Sequence, residues 1–180
     1  MTRAFQAETN PGNARPLVQR HGDRGVYFNP PAFPLGDGEG DTSQGLTNVA
    51  MDELYDLPFN RVPHPMYGSD GIPAFETVKH SVVLMRGCFG GCTFCSITEH
   101  EGRVIQNRSA GSVLREIRAL RRMGNFRGTV TDLGGPTANM YQLKCKSPEI
   151  ESKCRKLSCV HPGVCENLKT DRAALIALKQ

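Results

Sequence analysis

A chain of 180 residues, 38% hydrophobic and 22% charged, has enough apolar material for one buried core and is too short for two full domains. No apolar run approaches the 18 or so residues of a membrane span. The opening "MTRAFQAETNPGNARPLVQR" lacks the apolar centre of a secretory signal, so a cytoplasmic setting with reduced thiols is expected, and a net charge of +4 without a dense basic block gives no nucleic-acid footprint.

Residues 1–76 read as an irregular, extended segment rich in turn formers, among them "NPGNARP", "FNPPAFPLGDGEGDTSQG" and "LPFNRVPHPMYG". Pro30 and Pro31 hold the backbone extended on either side. The stretch "NVAMDELYDL" is expected to form a short helix, and Tyr27, Phe28, Phe33 and Phe59 to pack over a neighbouring surface. From Thr77 the character changes. "TVKHSVVLMR" has the branched and apolar content of a strand that ends at Gly87. "SAGSVLREIRALRRMG" puts Val113, Ile117 and Leu120 on one helical face, with Ser109 or Ser112 as N-cap and Gly124 closing the helix. A second strand, "GTVTDL", runs into "GGPTAN". Strand, helix, strand over 77–140 is one βαβ unit, which predicts parallel strands joined by a right-handed connection, with ligands at their carboxyl ends. The loop after the first strand and the pair Gly134–Gly135 after the second then share a rim. Residues 141–168 form a polar, cysteine-rich insertion, and 169–180 begin a further helix capped by Thr170 or Asp171. No internal repeat is found.

Seven cysteines fall into two groups, and none precedes Cys88. An odd count, no export signal and a cysteine-free first half argue for metal or cluster binding over disulfides. In "RGCFGGCTFCSIT", Cys88, Cys92 and Cys95 form a C-x-x-x-C-x-x-C run. A cubane iron–sulfur cluster needs a ligand on each of four irons. Three thiolates in one tight loop leave one iron free for another ligand. Gly87, Gly90 and Gly91 let the loop wrap closely and bring backbone N–H groups to the sulfurs, while Phe94 supplies an apolar wall.

This run, with an aromatic before its last cysteine, resembles the signature of the radical S-adenosylmethionine superfamily. More narrowly, "RGCFGGCTFCSITEHEGRVIQNRS", "DLGGPTANMY", "QRHGDRGVYFNPPAFPL" and "RVPHPMYG" resemble the YgiQ family, over a span from about Leu17 to Lys179. The resemblance implies an α/β fold that is the start of a partial (β/α) barrel. It also implies a 4Fe-4S cluster on Cys88, Cys92 and Cys95, with S-adenosyl-L-methionine completing the fourth iron. One electron passed to the sulfonium would yield methionine and a 5'-deoxyadenosyl radical, which abstracts hydrogen from a small-molecule or macromolecular substrate. An electron donor such as flavodoxin or ferredoxin is implied as a partner. Gly134 and Gly135 match the glycine pair whose backbone binds the methionine amino group, and Pro136 stands where the superfamily carries an acidic residue, leaving backbone carbonyls as the partners. A barrel of this family has about six β/α units and two strands are visible here, so the chain is expected to be a truncated fragment, weakly active or inactive alone.

Cys145, Cys154, Cys159 and Cys165 are separated by eight, four and five residues, a spacing that matches no common motif. They are read as a possible second site for an auxiliary iron–sulfur cluster or zinc, with His161 as a substitute ligand, or else as structural thiols. Glu99, His100, Glu101 and Arg103 follow the first loop, where His100 is suited to proton transfer. Arg103 and Arg108 are candidates to pair with the carboxylate of S-adenosylmethionine, because guanidinium meets carboxylate with two parallel hydrogen bonds. The rival reading is a non-catalytic module that uses its cysteines structurally, as a zinc-binding or RNA-binding element or as an electron carrier with four protein ligands.

Overall fold

The structure, a computed structural model, describes residues 2–10, 12–28, 48–136 and 140–180. The expectations for Pro30, Pro31 and Phe33 lie outside the described residues, as do those for the side chains of Tyr27 and Phe28. Phe59 is exposed rather than packed over a surface.

The described part of the first 76 residues is more regular than its composition predicts. A short helix α1 (Thr2–Ala7) precedes an antiparallel hairpin of β1 (Leu17–His21) and β2 (Arg24–Phe28), in register from Leu17 opposite Phe28 to His21 opposite Arg24. Gly22, at φ 60°, and Asp23 make the two-residue turn, and glycine at the first turn position is the residue type such hairpins need. Helix α2 (Asn48–Asp56) forms where expected and buries Met51.

The single strand expected over "TVKHSVVLMR" is divided. Pro73, with its preset φ, starts a helix α3 (Pro73–Val78) that takes in Thr77 and Val78. What remains is β3 (Val82–Val83) and β4 (Met85–Arg86). Strand β3 pairs in parallel with β6 (Leu133–Gly134), whereas β4 pairs antiparallel with β5 (Gln106–Asn107). Leu84 sits at the crossover, donating its N–H to the Gly134 carbonyl at 2.6 Å and accepting from the Arg108 N–H at 3.0 Å. Helix α5 (Ala110–Leu120) connects β5 to β6, so β3, α5 and β6 form the expected parallel unit, although the strand expected over "GTVTDL" is reduced to Leu133 and takes in Gly134. Ser109 caps α5 by accepting from the Ser112 N–H at 3.1 Å. Asp52 of α2 in turn accepts from the N–H and hydroxyl of Ser109, at 2.9 and 2.5 Å. The predicted stripe packs inward: Val113 and Leu120 are buried with Val82, Leu84, Met85, Tyr141 and Leu175, and Ile117 lies against them. A helix α6 (Pro148–Lys153) lies in the cysteine-rich segment. The last helix, α7 (Ala173–Lys179), starts beside Asp171, whose carboxylate accepts from the Ala173 N–H.

Among the described residues the strands form three two-stranded sheets and no closed barrel. None of the described helices is long and apolar enough to cross a membrane. Beneath the β3–β4 strand lies a polar hub. Glu116 of α5 accepts from both Arg61 and Arg108, whose side chains are almost wholly buried. Arg61 also donates to the carbonyls of Lys79 and Ser81, and Arg108 to the Val83 carbonyl and the Ser112 hydroxyl, with the Tyr55 ring 4.3 Å from its guanidinium carbon. Two guanidinium groups removed from water require such compensation, because an unpaired buried charge costs several kcal/mol.

Candidate functional site

Strand β4 feeds directly into the first cysteine loop. Gly87 turns the chain at φ 91°, in a place where any side-chain carbon would overlap the Val104 carbonyl. The short helix α4 (Ile97–Glu101) closes the loop from the other side. Its Glu101 accepts from the Gly87 N–H at 3.0 Å and pairs with Arg86 at 3.1 Å, and its Thr98 hydroxyl donates to the Cys88 carbonyl at 3.0 Å. The Cys88 N–H donates to the Gly102 carbonyl. The loop is therefore pinned at its start and end and open at its tip: Cys88 and Cys95 are half-buried, Cys92 is exposed, and Phe94 is 91% exposed. The side chain expected to wall the site faces solvent in this structure.

Within the loop the sulfurs of Cys88 and Cys92 gather above Gly90. A carbon placed on Gly90 would stand 3.2 Å from one and 3.8 Å from the other. The Gly90 N–H donates to the Cys88 sulfur at 3.4 Å, the kind of backbone donor that tunes a thiolate bound to metal. Burial pushes the Cys88 thiol above its usual range. The Gly90 N–H opposes this, and the neighbouring Cys92, Cys95 and Glu101 add to it. A ligating metal has to displace that proton. Among the described residues no three His, Cys, Asp or Glu side chains are spaced to share one metal ion. The sulfurs of Cys88 and Cys92 thus share a small residue beneath them and a backbone donor at one of them.

The glycine pair lies against this loop's root. The Gly134 carbonyl accepts from Leu84, and a carbon on Gly135 would stand 2.6 Å from the Met85 carbonyl, three residues ahead of Cys88. Parallel pairing of β3 with β6 thus brings Gly134, Gly135 and the cysteine loop to one rim, as the sequence predicts.

The two arginines have other partners. Arg108 is fully buried in the Glu116 hub, and Arg103, 8% exposed, points away from the rim into the second cysteine group. It donates to the Lys156 carbonyl and, at 3.4 Å, to the Cys159 sulfur. Neither is free to meet an incoming carboxylate in this structure. His100 is exposed, as a surface histidine would be, and one carboxylate oxygen of Glu99 is buried without a partner.

Four cysteines with irregular spacing nevertheless converge. Cys145, Cys154, Cys159 and Cys165 all line one cavity of about 70 Å³, walled by Phe89, Ile105, Leu143 and Leu168. The backbone arranges them: Cys145 bridges to Leu168, Cys154 ends α6, the Cys165 N–H donates to the Cys159 carbonyl, and the Cys159 N–H donates to the Phe89 carbonyl at 3.0 Å. That last bond ties the second group to the back of the first loop. Gly91, at φ 61°, touches it there too. Residues 8–15 strap the outside. The Asn10 amide donates to the carbonyls of Glu151 and Cys154 at 2.6 and 2.8 Å, and the Asn13 amide to those of Ser152 and Cys154 at 2.9 and 3.1 Å. His161 is exposed and does not line the cavity.

A family profile described as "Radical SAM N-terminal" matches residues 1–81, the part that precedes the cysteine loop. The chain is 57% identical over 177 residues to a "UPF0313 protein" of Pseudomonas syringae pv. tomato, an alignment covering 98% of this chain and 22% of that protein. It is 56% identical over 178 residues to a UPF0313 protein of Bradyrhizobium diazoefficiens, covering 98% and 25%. It is 53% identical over 178 residues to the "UPF0313 protein YgiQ" of Escherichia coli, covering 98% and 23%. The chain thus spans about a quarter or less of the length of these curated relatives. No solved structure matches.

Proposed function

From the premise that this chain belongs to the UPF0313 family, which includes the YgiQ proteins, we propose that it carries the cofactor-binding start of a radical S-adenosylmethionine enzyme. Residues 77–140 are then the first units of a partial (β/α) barrel. Cys88, Cys92 and Cys95 hold a 4Fe-4S cluster, and the backbone at Gly134–Gly135 receives the amino group of S-adenosylmethionine. The observation that carries this reading is the rim itself: Gly135 packs against Met85 of β4, the strand that runs into the three-cysteine loop, and β3 just before it pairs in parallel with β6, which ends in Gly134. Held by Cys88, Cys92 and Cys95, such a cluster would supply the one-electron reduction by which S-adenosylmethionine is cleaved for radical chemistry.

The chain's own residues bind and orient. Gly90 leaves room under the sulfurs and offers them its N–H, and Glu101 and Thr98 fix both ends of the loop so that the thiols are held for the metal before it arrives. Buried Met85 and Leu84 keep water from the rim's floor. The exposed tip at Cys92 and Phe94 is where an external electron carrier of the flavodoxin or ferredoxin type docks. The reading is tested by anaerobic reconstitution with iron and sulfide, followed by S-adenosylmethionine and dithionite. Iron bound through the loop, with an electron-spin signal altered by S-adenosylmethionine and release of 5'-deoxyadenosine, supports it. A loop that takes zinc and no iron, or a cluster indifferent to S-adenosylmethionine, overturns it.

A further inference from the structure

We infer that Cys145, Cys154, Cys159 and Cys165 are the four thiolate ligands of a second iron–sulfur cluster, seated behind the Cys88–Cys95 loop and independent of it. Four observations lead there. All four side chains line the same small cavity, although their spacing in the chain follows no local rule, so the convergence is a property of the fold. The cavity is otherwise walled mainly by apolar groups, with buried Phe89, Leu143 and Leu168 forming a cluster against which Cys159 and Cys165 pack. All four are free thiols, with none paired in a disulfide. Finally, two cations are aimed at the sulfurs: Arg103 donates to Cys159 at 3.4 Å, and Lys156 approaches Cys165 at 3.7 Å.

The charges explain the cations. Four thiolates around a cubane leave net negative charge in an apolar pocket, and a buried charge persists only when it is compensated. Arg103 is itself nearly buried and accepts that role through a guanidinium that cannot lose its proton.

The cavity that the four cysteines line favours a cluster over a lone zinc ion. Zinc sits about 2.3 Å from each thiolate in a tetrahedron, which draws the four sulfurs to within roughly 3.8 Å of one another. Here no three such side chains among the described residues stand close enough to share an ion, and a void lies between them. Four anchors around a void fit a group whose metal atoms occupy the void. This also completes a contrast with the first loop. Three cysteines there leave one iron open to a ligand, whereas four here close the site, so the second cluster has no vacancy for substrate or S-adenosylmethionine.

The test uses the full chain with Cys88, Cys92 and Cys95 all changed to alanine, which removes the first site and leaves the cavity's walls intact. After anaerobic reconstitution this variant is expected to retain about four irons and about four sulfides per chain, with the visible charge-transfer absorption and electron-spin signal of a reduced cubane, against about eight irons for the unaltered chain. Loss of all iron from the variant, or one zinc per chain with no sulfide, overturns the proposal. A second arm keeps the first loop and changes Cys159→Ser and Cys165→Ser. It is expected to halve the iron while S-adenosylmethionine still perturbs the remaining signal, and unchanged iron content would refute the assignment even if the triple variant folds poorly. Because the triple variant carries no first cluster, its result stands or falls separately from the enzyme reading.

Discussion

Gly91→Ala is a direct probe of how the two cysteine groups meet. At φ 61° the backbone of Gly91 is in the left-handed region, where a side-chain carbon costs about 1–2 kcal/mol. A carbon there would also lie 2.8 Å from the Leu157 carbonyl carbon and overlap its oxygen, inside the 3.0 Å that such carbons keep. Backbone must therefore shift, and overpacking of this kind adds about 1–3 kcal/mol. Gly128→Ala is the matched control, since its φ is 86° and no atom lies within 4 Å of the added carbon. It incurs the conformational cost alone. Thermal unfolding of the metal-free, reduced chain by circular dichroism should place the Gly91→Ala midpoint roughly 2–12 °C below that of Gly128→Ala, at about 2–4 °C per kcal/mol for a chain of this size. Equal midpoints would show that the second cysteine segment is not seated against the first loop, and the packing argument would fail.

Other outcomes follow from the same contacts. Glu116→Ala leaves Arg61 and Arg108 buried without their carboxylate and should cost about 3–5 kcal/mol in urea unfolding, a large share of a domain's total; a change under about 1 kcal/mol would mean the hub is solvated. Cys92→Ala should abolish iron at the first site and the release of 5'-deoxyadenosine, because two thiolates do not hold a cubane in place, whereas Cys159→Ala should leave that release intact; retention of both activities by Cys92→Ala would remove the loop from the site. Acid should weaken the strap over residues 8–15. Burial of the Glu8 carboxyl is outweighed by Arg15 and Arg155, so its folded pKa lies below the ordinary 4.5, and its contribution is complete above that value and lost as pH falls through the depressed one. Glu8→Gln should flatten the acid limb of the stability profile while matching the parent at low pH, and parallel profiles would contradict this.

The closeness of the first cysteine loop to the glycine pair was legible because its determinants are local. Cys88, Cys92 and Cys95 lie within eight positions, glycines punctuate them, and the apolar period of α5 predicts which strand pairing brings Gly134 alongside. The β1–β2 hairpin also had a local signal, Gly22–Asp23 between two runs of extended residues, which the surrounding proline-rich composition obscured. The single strand read over residues 77–86 failed at its start because Pro73, just upstream, nucleates a helix into it. Arg103 and Arg108 could not be placed from sequence at all. Their partners, Cys159 and Lys156 for one and a carboxylate shared with Arg61 for the other, are fixed by tertiary packing. The same holds for Cys145, Cys154, Cys159 and Cys165, which are brought together by contacts distant in the chain, among them Cys159 with Phe89 and the Cys154 carbonyl with the amides of Asn10 and Asn13.

That strap has a consequence for biosynthesis. Asn10 and Asn13 leave the ribosome early, yet the carbonyls they grip at residues 151–154 do not exist until some 140 residues later. At about 5–20 residues per second the interval is roughly seven to thirty seconds, during which Asn10 and Asn13 have nothing to clasp. Asn10 and Asn13 are thus made well before they can settle, and nascent chains stalled before Cys154 should keep them open to proteases that spare chains extended past it.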